Sequence, residues 1–85
     1  MYNYQTEKKE LFTESNQETF LKIRDRVRLL LEQAGAVTME KAISESTGSS
    51  WLLMACVDRL LELKEIREVT KENVAGQHRV FISVN

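Results

Sequence analysis

The longest regular pattern of apolar positions runs from residue 15 to residue 34. Its apolar side chains recur three or four residues apart, which predicts one face of an amphipathic helix. They are Phe20, Ile23, Val27, Leu30, Leu31 and Ala34. Ser15 to Glu18 have the S-x-x-E form of a capping box, and Gly35 suits the left-handed backbone with which helices often end. We therefore expect a first helix that begins near Ser15 and ends at Gly35.

Two shorter helical patterns follow, separated by a turn at Gly48. The apolar stripe of the first is Met39, Ala42 and Ile43, and that of the second is Leu53, Cys56, Val57, Leu60 and Leu63. Thr38 is placed to cap the first helix. Gly48 can adopt the left-handed backbone of a helix exit, and Ser49 or Ser50 can accept the first amides of the next helix. Two helices joined by such a turn form a helix-turn-helix arrangement.

The C-terminal part alternates apolar and polar residues, which predicts β-strands. Residues 66–70 form one predicted strand, 71–77 a polar connection, and 78–84 the return strand. One face of the return strand contains Val80, Ile82 and Val84. Residues 36–37 are long enough only for a bridging strand. The predicted fold class is α+β, a three-helix core with a C-terminal two-stranded β-hairpin.

The first 14 residues are polar, with only isolated apolar side chains. Chain termini are often poorly ordered, which favours a flexible N-terminal segment at residues 1–14 and a folded domain at residues 15–85. The alternative is that Leu11 and Phe12 dock on the body of the domain or on a second subunit.

Composition limits the class of protein. Eighty-five residues form one small domain, and a formal net charge of −1 lacks the positive excess usual in nucleic-acid binders. Cys56 is the one cysteine and cannot form an internal disulfide, which fits a reducing cytoplasm. The sequence has no apolar run long enough to cross a membrane. We expect a cytoplasmic protein that does not contact the membrane.

Residues suited to catalysis or metal binding are few. His78 is the one histidine and has no cysteine beside it, and the three glycines are each explained by a turn. The sequence shows no Ser-His-Asp order and no glycine loop for phosphate. We expect no enzyme activity, no cofactor and no metal site, and we expect Cys56 to be a small core residue.

The order of the predicted elements resembles that of the winged helix-turn-helix family of bacterial regulators. The resemblance covers about residues 18–84. It depends on the helix at 38–46, the turn at 47–50, the passage VDRLLE at 57–62 that leads into IRE at 66–68, and QHRVF at 77–81. The resemblance implies a helix-turn-helix core with a hairpin wing. Members of this family act either on DNA or as protein-docking modules, so the fold alone does not decide the function.

For the DNA-binding members, the resemblance implies that helix 50–63 enters the major groove of double-stranded DNA while the wing at 71–79 contacts the adjacent backbone. The function so implied is transcription regulation. The implied DNA-binding residues are Ser49, Ser50, Trp51, Arg59, Lys71, His78 and Arg79. Serines at a helix N-terminus can donate to phosphate, and arginine can pair with phosphate or a guanine edge. Arginine on a narrow wing also suits the electronegative minor groove.

The predicted outward face of the same helix favours another partner. With Leu53, Val57 and Leu60 turned inward, the opposite face shows Trp51, Ala55, Asp58 and Glu62. Carboxylates repel a polyanion, whereas an exposed indole is a common anchor in protein interfaces. The alternative function is therefore a protein-protein interaction module that docks through Trp51, Leu52 and Met54. A third possibility leaves Trp51 folded back against the wing or the first helix.

A homodimer is expected if the partner is DNA, because paired half-sites raise affinity and specificity. Leu21 and Leu29 point away from the apolar stripe of the first helix. Together with Leu11 and Phe12 they are candidates for a dimer seam, although isolated exposed leucines are also ordinary.

Overall fold

The N-terminal residues are folded against the body of the domain. The computed structural model describes residues 1–71 and 74–84, and its first elements are α1 (Tyr4–Glu7) and a 3₁₀ turn (Lys8–Phe12). Leu11 in this turn is completely buried in the hydrophobic core. The structure therefore differs from the flexible segment favoured by the sequence, and it agrees with the alternative in which Leu11 docks on the body. Phe12 remains exposed.

Helix α2 spans Glu14–Ala34 and is the longest element. It begins earlier than predicted, because Thr13 is the N-cap and its hydroxyl accepts a hydrogen bond from the amide of Asn16 at 3.3 Å. The predicted capping box at Ser15 is therefore wrong. Gly35 ends the helix as predicted, with a left-handed φ of 80° and its amide bonded to the carbonyl of Leu31.

The middle of the chain follows the predicted order, with β1 (Val37–Thr38), α3 (Met39–Ile43) and α4 (Ser50–Glu62). Thr38 caps α3 as predicted, since its hydroxyl accepts from the amide of Lys41 at 3.2 Å. The helix predicted at 38–46 is too long, because α3 ends at Ile43 with Ser44 as its C-cap, so Gly48 is not its exit. Gly48 lies further along, in the turn before α4, with a φ of 128°, a value that L-residues rarely adopt. Ser49 is the N-cap residue of α4, but its side chain accepts no capping hydrogen bond in the described structure.

The sheet is antiparallel, and its strand order is β1-β3-β2, where β2 is Ile66–Glu68 and β3 is Val80–Ser83. Val37 pairs with Phe81, and Ile66 pairs with Ser83. Both C-terminal strands are shorter than predicted, because a 3₁₀ turn (Gly76–His78) precedes β3. The predicted connection at 71–77 includes residues 72 and 73, which lie outside the described residues.

The core lies between the helices and the sheet. Its buried side chains come from every part of the chain and include Leu11, Phe20, Ile23, Val27, Val37, Met39, Leu53, Val57, Leu60, Ile66 and Phe81. On β3 the inward residue is Phe81, whereas Val80 and Ile82 are half-buried and Val84 is exposed. The predicted face of Val80, Ile82 and Val84 is therefore not the core face.

Leu63 was expected in the core and is exposed instead. It is the residue at which α4 ends, and the next residue, Lys64, has a left-handed φ of 62°. The chain therefore leaves the helix axis before Leu63 completes the apolar stripe. The sequence therefore predicted the end of this helix to within one residue, but not the exposure of Leu63 at that end.

None of the helices in the described ranges combines the length with the apolar character that crossing a bilayer requires.

Docking of the N-terminal segment can be tested by removing its buried anchor. We expect Leu11→Ala to lower the free energy of unfolding by about 2–5 kcal/mol, because it leaves a cavity in the core. Leu29→Ala is the matched control, since Leu29 is a leucine that is 49% exposed, and it should change stability by no more than about 0.5 kcal/mol. Urea denaturation measures both values. Equal losses in the two variants would show that Leu11 is not buried in solution.

Candidate interaction site on helix α4

The outward stripe of α4 is the centre of the candidate site, and it consists of Trp51, Ala55, Asp58 and Glu62. The sequence analysis expected all four to face solvent. Trp51 is 43% exposed, but Ala55 is fully buried and Asp58 is only 8% exposed. The prediction is wrong for Ala55 and Asp58, because the N-terminal segment packs on α4. Only the first turn of the stripe presents a large apolar side chain to solvent.

Asp58 is the buried carboxylate of this stripe and is bonded from two sides. The phenol of Tyr2 donates to its Oδ2 at 2.5 Å. The guanidinium of Arg79 donates through Nη2 to Oδ1 at 2.8 Å and through Nη1 to Oδ2 at 3.3 Å. A buried carboxylate is stable only when it is paired and hydrogen-bonded. Both requirements are met here by residues far away in the sequence.

Arg79 is also bound to Glu68 of strand β2. Its Nε donates to Glu68 Oε2 at 3.0 Å, and its Nη2 donates to Oε1 at 2.8 Å. The guanidinium also lies 5.2 Å from the ring centroid of Phe81. Burial opposes the charge of Arg79, but the hydrogen bonds to Glu68 and Asp58 outweigh it and raise the pKa of the guanidinium. Arg79, expected on the wing to meet DNA, is occupied by two carboxylates of its own chain.

Glu62 is the second carboxylate of the stripe, and three donors surround it. Lys8 and Arg59 each approach its carboxylate to 2.5 Å, and the phenol of Tyr4 donates to Oε1 at 2.9 Å. The hydrogen bonds from Lys8, Arg59 and Tyr4 lower the pKa of Glu62 to about 2. Burial and the bond to Glu62 raise the pKa of Tyr4 to about 12.

Arg59, the other arginine expected to contact DNA, is likewise occupied. Besides its bond to Glu62, its guanidinium lies 5.4 Å from the ring centroid of Phe12. Its side chain is 25% exposed. The N-terminal segment therefore contacts Arg59 directly through Phe12, and it contacts the ion-pair partner of Arg59, Glu62, through Lys8 and Tyr4.

The remaining residues expected to bind DNA lie at the surface, and the described structure shows no hydrogen bonds among them. They are Ser49, Ser50, Lys71 and His78, all exposed. The two serines lie at the N-terminal end of α4, Lys71 follows strand β2, and His78 lies in the 3₁₀ turn before β3.

The second predicted site was formed by Trp51, Leu52 and Met54, which we call the Trp51 surface. Leu52 and Met54 are half-buried beside the exposed indole. A Cβ at Gly76 would lie 3.0 Å from the methyl carbon of Met54, so the turn before β3 packs directly against this side chain. Leu52 lines a shallow cleft together with Ser49 and residues of the N-terminal segment. The indole of Trp51 is 43% exposed.

Cys56 is fully buried, and burial raises the pKa of its thiol to about 12. A thiol with a raised pKa is a poor nucleophile. Within residues 1–71 and 74–84, no group of three His, Cys, Asp or Glu side chains is arranged to hold a metal ion.

Sequence reasoning missed the residues that occupy the α4 stripe, above all Tyr2, Tyr4 and Lys8. It treated Tyr2 and Tyr4 as isolated apolar points in a polar tail. The one available indication was on α4 itself, where two carboxylates four residues apart, Asp58 and Glu62, lie on a largely apolar helix. Nothing in the local pattern connects them to side chains more than 50 residues away, such as Tyr2, which is 56 residues from Asp58.

Comparison with protein-family models gave no match to this chain. Comparisons with curated proteins and with solved structures gave no significant match either.

The charge cluster around Glu62 predicts a defined pH dependence. The folded pKa of about 2 lies below the ordinary value of 4.5, so the ionised carboxylate stabilises the fold above pH 4.5 and loses this effect as the pH falls towards 2. We expect Glu62→Gln to melt at a lower temperature than the wild type near neutral pH, with the difference disappearing over that window. Thermal melts followed by circular dichroism measure it.

Glu18→Gln provides the control, because Glu18 is exposed and makes no ion pair among the described residues. It should melt with the wild type throughout. A Glu62→Gln difference that is constant from pH 7 to pH 2 would show that the Glu62 carboxylate is not paired in solution.

Proposed function

We propose that this chain is a winged-helix domain that works as a protein-protein interaction module and docks a partner through the Trp51 surface. The order α2, β1, α3, α4, β2, β3 and the antiparallel pairing of β3 with both other strands support the winged-helix assignment. The observation on which the function rests is that Trp51 is 43% exposed at the end of α4 while Arg59 and Arg79 are bound to carboxylates.

Charge is the first argument for a protein partner. A DNA-binding helix needs cations that are free to meet phosphate. On α4 the only base is Arg59, and it is paired with Glu62 of the same helix. Arg79, the arginine of the expected wing, is paired with Asp58 and Glu68. Releasing Arg79 for DNA would leave Glu68 and the buried Asp58 without their ion-pair partner, and this opposes docking to a polyanion.

The chemistry of the Trp51 surface is the second argument. Trp is among the residues that most often dominate the binding energy of protein interfaces, because a flat indole buries a large apolar area with few rotatable bonds. Met54 adds an adaptable thioether, and Leu52 adds an aliphatic side chain. Because Leu52 and Met54 are half-buried, their positions beside the exposed indole are already fixed before a partner binds.

One observation favours DNA binding as the second candidate. Ser49 and Ser50 are exposed, and Ser49 does not cap α4 with its side chain in the described structure. The first amides of this helix are therefore available to an anion. Exposed Lys71 and His78 could add contacts from the segment that leads to β3. In this role the chain would be a small transcription regulator, and a homodimer would supply paired half-sites.

The Trp51 surface can be tested by a matched pair of substitutions. Trp51→Ala should leave the fold intact and weaken partner binding by about 2 kcal/mol or more, because it removes the anchor of the interface. Leu63→Ala is the control, since Leu63 is another apolar residue of similar exposure, at 46%, beyond the other end of α4. The partner is first captured by cross-linking from a photoreactive residue at position 50, and its affinity for each variant is then measured by titration calorimetry.

Equal affinities of Trp51→Ala and the wild type for that captured protein would contradict docking through Trp51. Capture of no protein from position 50, with efficient labelling of the domain itself, would count against the function as a whole.

Salt dependence separates the two candidate functions. DNA binding through several phosphate contacts must weaken steeply as salt rises. We expect no salt-sensitive binding of the wild type to duplex DNA in a mobility-shift assay. Arg59→Ala and Arg79→Ala are expected to change thermal stability instead. Salt-sensitive binding that is lost in both arginine variants, with their folds intact, would instead support the DNA-binding role.

A further inference from the structure

The N-terminal segment is held to the domain in two different ways. Leu11 is buried in the core, and the side chains of Asn16 and Gln17 donate to the backbone carbonyls of Glu10 and Leu11. We call residues 10–12 the anchor. Residues 2–8, which we call the strap, contain α1, and none of its four residues is buried in the described structure.

Three side-chain hydrogen bonds and ion pairs join the strap to α4, and the partly buried rings of Tyr2 and Tyr4 also pack against the core. Tyr2 donates to Asp58 at 2.5 Å, Tyr4 donates to Glu62 at 2.9 Å, and Lys8 approaches Glu62 at 2.5 Å. Two of the three contacts are exposed to solvent, and such contacts add little net stability. A helix of four residues is also unstable without tertiary support. The strap can therefore open while Leu11 keeps the anchor in place.

Opening the strap would uncover a surface of defined chemistry. Ala55, Asp58 and Glu62 lie three or four residues apart and share one face of α4. Asp58 would keep Arg79, and Glu62 would keep Arg59. Asp58 would lose the phenol of Tyr2. Glu62 would lose the phenol of Tyr4 and the ammonium group of Lys8.

The strap itself shows which ligand fits this surface. Tyr4 and Lys8 are four residues apart and converge on one carboxylate, while Tyr2 reaches the other. The cationic and phenolic donors of the strap complement these two carboxylates.

We propose that the face of α4 formed by Ala55, Asp58 and Glu62 is a second binding surface, which takes a short helical peptide segment bearing tyrosine and lysine from a partner protein, and that the strap occupies it in cis. The strap thereby controls access to this face. This proposal does not rest on the role of Trp51, because the ligand contacts carboxylates further along the helix.

The test uses the strap as its own ligand. The variant Tyr2→Phe/Tyr4→Phe/Lys8→Met removes the three donors and keeps Leu11. A synthetic peptide of residues 1–9 is titrated into the isotope-labelled wild type and into the variant, and backbone amide shifts are followed by NMR. We expect saturable shifts at Ala55, Asp58 and Glu62 in the variant. The wild type should bind at least about tenfold more weakly, because its own strap competes at a high effective concentration.

Two matched controls show whether the donors are responsible. A peptide with the same three substitutions should cause no shifts in the variant. Adding Glu62→Gln to the variant should weaken binding of the natural peptide, because Tyr4 and Lys8 lose their charged acceptor. If the triple variant does not fold, Lys8→Met alone is used, and the same ranking against the wild type is expected.

Several results would overturn the proposal. They are an absence of shifts in the variant, equal binding to the variant and the wild type, or equal binding of the natural and substituted peptides. Hydrogen exchange of the wild type is an independent measurement. The amides of residues 6–8 should exchange faster than those in the middle of α2, and equal protection would show that the strap does not open separately.

Discussion

The ion pair between Arg79 and Asp58 is the contact on which the arrangement of the domain depends. It joins the residue before β3 to the middle of α4, and its side chains are 19% and 9% exposed. Glu68 extends it to β2, Phe81 packs beneath the guanidinium, and Tyr2 closes it from the N-terminal side. Because Asp58 is buried, these partners together offset the loss of its hydration.

This pairing has a direct consequence for function. The arginines that a winged helix would use for DNA neutralise carboxylates of the same domain. A formal net charge of −1 leaves little positive potential to attract a polyanion. On α4 the large side chain that is exposed and carries no charge is Trp51. The charges thus hold the domain together, and the large side chain that the N-terminal end of α4 exposes to solvent is apolar.

Local sequence patterns predicted most of the elements. The periodicity of the apolar residues located α2, α3 and α4, Gly35 marked the end of α2, and Thr38 marked the beginning of α3. Alternation also located the two C-terminal strands, but it did not predict that β1 pairs with β3 in a three-stranded sheet. These features depend on neighbours within a few residues, which is the range over which such patterns carry information.

The candidate site was less predictable because it depends on distant contacts. Periodicity predicted that Ala55 and Asp58 face solvent, but Ala55 is part of the core and Asp58 is covered by Tyr2 and Arg79. Tyr2 comes from the first 12 residues, whose scattered aromatic and charged side chains have no helical period. Lys64 has a left-handed backbone directly after Leu63, and no glycine at this position indicates it in the sequence. Burial of a helix face depends on the whole chain.

A double-mutant cycle between Asp58 and Arg79 tests the central claim most directly. Asp58→Ala, Arg79→Ala and the double variant are unfolded in urea near neutral pH, and the free energies are compared with that of the wild type. Because the pair is largely buried and hydrogen-bonded, we predict a favourable coupling of about 1 kcal/mol or more. A coupling indistinguishable from zero would show that Arg79 is not bound to Asp58 in solution and is free to meet an external partner.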